Sequence, residues 1–223
     1  MIPLTDNNPT HIPPLVTWLL IGLCVLVFVW HYGGAHDPHA LVQAYGFIPA
    51  YTLGGELDPD SLSTGWQSIF TSMFMHGDIA HLGGNLLYLW VFGDNIEQAL
   101  GKAKFLLFYL LGGVAAALTQ GALDPASTIP MIGASGAISA VLGAYLVLHP
   151  RQPITVALPY VGFTHLPAWA VLGSWFGYQL LYGLAVPQDG GGVAFWAHIG
   201  GFVAGVVLIL PFGPRRAPRL WEE

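Results

Sequence analysis

The sequence predicts an all-α membrane protein, a six-transmembrane-helix bundle with a long interfacial first loop. Three observations carry that prediction. Hydrophobic residues make up 54% of the 223 and charged residues only 8%, with a mean hydropathy of +0.61; a soluble domain carries roughly 25% charged residues. Six apolar segments follow one another, near 15–30, 80–92, 105–118, 132–148, 166–184 and 193–212. Lys and Arg occur in alternate connections between them.

The elements follow in chain order. Residues 1–13 form a short N-terminal segment with no basic residue, so the first apolar segment is expected to be a retained helix and not a cleavable signal. The connection from 31 to 78 is too long for a turn. Within it, 66–74 has apolar residues at helical spacing with Trp66 at the edge, which suits a helix lying in the interface. The second and third segments fall short of the roughly 20 residues a crossing helix needs and must borrow from their flanks. The membrane domain then spans 14–213, and 214–223 is expected to be a solvated basic tail.

Charge orients the bundle. The six cations are Lys102, Lys104, Arg151, Arg215, Arg216 and Arg219, all after the second, fourth or sixth segment. The other connections hold Asp37, Glu56, Asp58, Asp60, Asp78, Asp124 and Asp189. The positive-inside rule therefore puts both termini in the cytoplasm of a multi-pass cell-membrane protein, in a bacterium the inner or plasma membrane. The lone Cys24 excludes a disulfide framework. Cations this sparse exclude a nucleic-acid surface.

With that orientation, segments two, four and six run from outside to inside, and each carries its polar groups early. His81 and Asn85 lie on the second, Ser135 on the fourth and His198 on the sixth. At 1.5 Å per residue each sits roughly 5–10 Å below the outer edge. A membrane serine is often a packing residue, and Asn85 alone could be interhelical glue. An intramembrane histidine is a functional candidate by default, and four such groups in one layer favour a site.

The small residues agree. Gly136-x-x-x-Ala140 and Gly201-x-x-x-Gly205 are faces that permit close helix approach, which would bring the Ser135 hydroxyl to His198 as nucleophile and base. Gly133 allows a sharp entry into the Ser135 turn, whose free N–H groups suit an oxyanion. His81 and Asn85, four residues apart, share a helix face and can both donate to it. No carboxylate lies at this depth, so the expected machinery is a Ser–His dyad needing no metal or cofactor.

Several motifs occur in order. They are Gly46-Phe47-Ile48-Pro49-Ala50, Thr71-Ser72-Met73-Phe74-Met75-His76-Gly77, His81-x-x-x-Asn85 and Phe92-Gly93-Asp94-Asn95-Ile96-Glu97. They continue with Gly133-Ala134-Ser135-Gly136-Ala137 and Ala197-His198-Ile199-Gly200-Gly201. Across 46–210 the chain resembles the rhomboid family of intramembrane serine proteases. The resemblance implies a six-helix core around a water-accessible cavity, with Ser135 as nucleophile and His198 as base. It also implies oxyanion donors at His81, Asn85 and the Ser135 backbone. Substrates would be transmembrane segments of other proteins in the lipid bilayer, cut near the outer face, often after a small residue.

The fifth helix of the family is described as a lateral gate. That makes Trp169, Trp175, Phe176 and Tyr178 gating candidates, although packing or interfacial aromatics are the simpler account. Two departures stand out. Ser139 replaces the aromatic that stacks on the histidine in many relatives, and Trp66-Gln67 replaces a common Trp-Arg. The principal alternative is a catalytically silent rhomboid-like protein that binds membrane clients, against which the retention of both Ser135 and His198 argues. A transporter or metal channel built on His76, His81 and His198 is the third possibility, though inward-facing carboxylates are missing.

Overall fold

Proline and a distant carboxylate explain how the first helix begins. In the computed structural model, which describes residues 1–34, 37–54, 65–186 and 192–214, α1 (Leu15–Gly33) follows Pro13-Pro14 and has no side-chain cap from Pro14. Glu97, fully buried, takes its open donors: the N–H of Val16 at 3.0 Å, the N–H of Thr17 at 2.8 Å and the Thr17 hydroxyl at 2.9 Å. The carboxylate meets the positive end of the helix dipole.

The five longer helices that follow are α5 (Ile79–Leu100), α6 (Lys102–Leu123), α7 (Ser135–Leu148), α8 (Ala168–Ala185) and α9 (Phe195–Leu208). With α1 they fall on the six apolar segments of the sequence. Both short segments do extend into their flanks. The second runs on to Leu100 through Asp94, Asn95 and Glu97; the two carboxylates and the Asn95 side-chain N–H groups find partners inside the protein. Among the described residues, α1 and α6 are long and apolar enough to cross a membrane alone, and α7 and α9 are shorter apolar helices.

The first connection holds α2 (Pro38–Tyr45), α3 (Pro49–Thr52) and α4 (Gln67–Ser72). The last of these falls within the stretch expected to be interfacial. Its Ile69 packs with Phe47, Met73 and Ala117 in a small apolar cluster, while Trp66 is exposed. Glu56, Asp58, Asp60, Asp189, Arg215, Arg216 and Arg219, and with them the tail beyond Pro214, lie outside the described residues.

Sequence reading did not anticipate an antiparallel sheet, in the order β1 (Ile2–Asp6), β2 (Pro153–Leu158), β3 (Gly162–Pro167). Its register pairs Ile2 with Ala157 and Ile154 with Leu166. Ile154 and Val156 alternate inward and are fully buried, the period-two pattern of a half-buried strand. The N-terminal segment is thus part of the fold. Its Asp6 carboxylate accepts from the Tyr145 hydroxyl (2.5 Å) and from Asn95 Nδ2 (2.8 Å). Burial pushes Asp6 up to about 6; the Tyr145 bond opposes this and nearby Asp94 adds to it.

At the same end, Lys104 Nζ donates to the Phe212 carbonyl at 2.8 Å, tying the start of α6 to the chain just past α9. Lys102, Lys104 and Arg151 therefore share the sheet end of the bundle. Helix α7 is the central element, buried continuously from Ala137 to Tyr145. It meets α9 backbone to backbone: a Cβ on Gly201 would lie 2.1 Å from the Gly136 carbonyl oxygen, and one on Gly205 2.0 Å from that of Ala140. In lipid, where burial gives helices no net drive to associate, such close packing is what holds them.

Candidate active site

The end of the bundle remote from the sheet is hollow. A cavity of about 730 Å³ lies among α5, α7, α8 and α9, lined in part by His81, Asn85, Ser135, Trp175, Gln179 and His198.

Ser135 is the first residue of α7, where backbone N–H groups have no partner in the preceding turn and the dipole is positive. Gly133 brings the chain into that turn at φ +124. Any Cβ there would be strained, and would also lie 2.7 Å from His81 Nε2. His198 stands in the first turn of α9, and the Gly136–Gly201 approach draws that turn against α7. The result is a 2.7 Å contact between Ser135 Oγ and His198 Nε2.

The other face of the imidazole is also engaged. His198 Nδ1 lies 2.8 Å from Gln179 Oε1 on α8. A carbonyl oxygen can only accept, so Nδ1 carries the proton and the Nε2 lone pair is left to accept from the serine hydroxyl. Trp175, one turn earlier on α8, lies beside the ring, with centroids 5.9 Å apart and planes tilted by 37°. Ser139, the departure noted in the sequence, donates its hydroxyl to the Ser135 carbonyl at 2.6 Å and has no ring to stack on the imidazole.

The two groups on α5, His81 and Asn85, line the same cavity. Asp78 caps the helix by accepting from the His81 N–H at 2.8 Å, a bond that lowers the Asp78 pKa. The Gly77 N–H donates to His81 Nδ1 (3.4 Å), which puts the ring proton of neutral His81 on Nε2, the nitrogen facing Gly133. Asn85 is buried, and its Nδ2 has no hydrogen-bond partner. A buried unpaired donor is costly, and Asn85 is among the residues that line the cavity with Ser135.

His76 packs edge-on against His81, centroids 5.1 Å apart. Burial, with His81 alongside, pushes His76 down to about 4, so it faces its neighbour as a neutral ring. Among the described residues no three His, Cys, Asp or Glu side chains converge as metal ligands.

The structure thus brings Ser135, His198, His81 and Asn85 to one cavity, with Gly133, Gly136 and Gly201 beside them and Gly205 one turn further along the α7–α9 contact. Gln179 is the site residue that sequence reading overlooks. Its signal was available: an amide in the middle of an apolar helix must find a partner.

The fold is a helical membrane bundle that holds a serine hydroxyl against an imidazole in a cavity at one end. The chain belongs to the rhomboid family: residues 63–215 match the Rhomboid domain. It is similar to "Rhomboid protease GluP" of Bacillus subtilis (strain 168), 31% identical over 210 residues, covering 91% of this chain and 37% of that protein. It is also similar to "Rhomboid protein 1, mitochondrial" of Saccharomyces cerevisiae, 28% identical over 217 residues (88% of this chain, 56% of the relative). "Rhomboid protease GlpG" of Salmonella newport is 27% identical over 203 residues (86% and 61%). The chain spans between about two fifths and three fifths of the length of these relatives.

Proposed function

We propose that this protein is an intramembrane serine endopeptidase that hydrolyses peptide bonds in or near transmembrane segments of other membrane proteins. Its six long helices cross the cell membrane within a domain spanning 14–213, both termini are cytoplasmic, and the cavity opens to the outer side. The observation that carries this reading is the 2.7 Å contact between Ser135 Oγ and His198 Nε2.

The chemistry runs as follows. Ser135 Oγ attacks the scissile carbonyl as His198 Nε2 takes its proton. The carbonyl oxygen, now an alkoxide, is met by Asn85 Nδ2, by His81 Nε2–H and by N–H groups of the first α7 turn. Such donors act where charge develops, which is why they lower the barrier. His198 returns its proton to the leaving amine, and water then hydrolyses the acyl-serine by the same route in reverse roles. The unpaired Asn85 amide fits this role, since it gains in the transition state a partner that it lacks at rest.

The test is cleavage of a model transmembrane substrate in reconstituted vesicles, followed by gel and mass spectrometry. The intact protein should cut and Ser135→Ala should not. Cleavage surviving in Ser135→Ala would refute the assignment. Activity should rise with pH as the imidazole loses its proton and then level off; a fall across that range would contradict a neutral-histidine base. Binding of substrate by the intact protein without cleavage would favour the silent, client-binding alternative.

A further inference from the structure

We propose that Gln179 is a positioning residue for the reaction, fixing the tautomer and the orientation of His198, so that the site works as a Ser–His–Gln relay whose third member is carried by α8. This rests on the protease reading above.

A neutral imidazole can hold its proton on either nitrogen. Only the form with the proton on Nδ1 leaves Nε2 free to take the serine proton. The Gln179 Oε1 contact at 2.8 Å selects that form, because the alternative would set the Nδ1 lone pair against a carbonyl oxygen. The ring's hydrogen-bond partners among the described residues are Gln179 and Ser135, neither a carboxylate, and Asp78, His81 and Tyr88 are the other titratable groups lining the cavity. The amide therefore fills the place that an aspartate fills in a charged triad.

Packing supports the assignment. Gln179 is 5% exposed, on a helix whose Trp169, Leu181 and Leu184 are 59–71% exposed. Turning a buried amide inward costs free energy unless it has a specific partner, and its partner is His198. Trp175, four residues earlier and so on the same helix face, borders the ring. One helix face thus holds the imidazole at its edge and its side. That supplies the support which Ser139, bonded to the Ser135 carbonyl, does not give. Both holding groups ride on α8, so the base is in its working form only while α8 is seated on α9.

The experiment compares Gln179→Met and Gln179→Glu with the intact protein, measuring kcat, KM and the pH profile on one transmembrane substrate in vesicles. Methionine keeps the length and loses the acceptor, so kcat should fall about tenfold or more, the scale of one lost hydrogen bond, with KM within about twofold. Glutamate keeps the acceptor and adds charge. It should retain more activity than the methionine variant and move the acidic limb of the profile to higher pH, because a carboxylate stabilises the imidazolium. A side chain at 179 that does not contact the ring would leave that limb in place. Should the methionine variant fail to fold, the Gln179→Glu profile decides: a shifted limb supports the proposal and an unshifted limb overturns it. Unchanged kcat and profile in Gln179→Met would also overturn it. Loss of the protease reading itself looks different, since the intact protein would then not cut or Ser135→Ala would still cut.

Discussion

The two ends of this bundle treat their buried polar groups in opposite ways. At the sheet end the buried carboxylates are consumed. Glu97 receives two backbone N–H groups and a hydroxyl, and one Asp6 oxygen receives both a phenol and an amide. At the cavity end the Asn85 amide is buried and unpaired, and the Ser135 hydroxyl meets only an imidazole that can take its proton. Polar groups satisfied at rest hold a fold together, whereas groups left unsatisfied are available to a passing transition state. Substitutions at the two ends should therefore separate, stability at one and rate at the other.

The largest effect tests that separation at the cavity. Ser135→Ala and His198→Ala should each lower the cleavage rate by about 10⁴-fold or more, while the thermal unfolding midpoint in detergent stays close to that of the intact protein. A large drop in midpoint for Ser135→Ala would make the serine a structural residue and erase the contrast. Next comes Asn85→Ala, expected to cost about a hundredfold in kcat, the scale of one oxyanion donor, with KM and stability almost unmoved. An equal loss in KM would assign Asn85 to substrate binding.

The sheet end should show the converse. Glu97→Ala leaves two N–H groups at the start of α1 without their acceptor and should destabilise the protein by about 3 kcal/mol. Molecules that remain folded should turn over substrate normally. The smallest effect is at Asp6. Its folded-state value of about 6 lies above the ordinary 3.8, so the folded state holds the proton longer than the unfolded chain. Stability must therefore fall as pH rises between those two values, and the loss is complete above the higher one. Asp6→Asn cannot ionise, so its unfolding midpoint should fall less than that of the intact protein between acid and neutral pH. Identical slopes would remove Asp6 from the account.

Much of this contrast was legible before any coordinates. Composition, the six apolar segments and the order of the motifs pointed to the helices. The shared depth of His81, Asn85, Ser135 and His198 pointed to one cavity. The sheet was not legible because its evidence is split along the chain. Ile154 and Val156 show period-two alternation over only a few residues, and their partner strand, Ile2–Asp6, carries a proline and lies some 150 residues away. Hydropathy likewise ended the second segment too early, since Asp94, Asn95 and Glu97 look like loop residues until their partners at Asp6, Thr10 and Thr17 are known. Gln179 was legible as an amide that needs a partner, but spacing along one helix does not say which contact it makes across to another.

The most direct measurement of the central claim is covalent labelling of the detergent-solubilised protein with a fluorophosphonate, with the modified residue located by mass spectrometry. A serine activated by a neutral imidazole should give one adduct, on Ser135, and His198→Ala should abolish it. No adduct on Ser135, or one that persists undiminished in His198→Ala, would contradict the nucleophile–base pair on which the account depends.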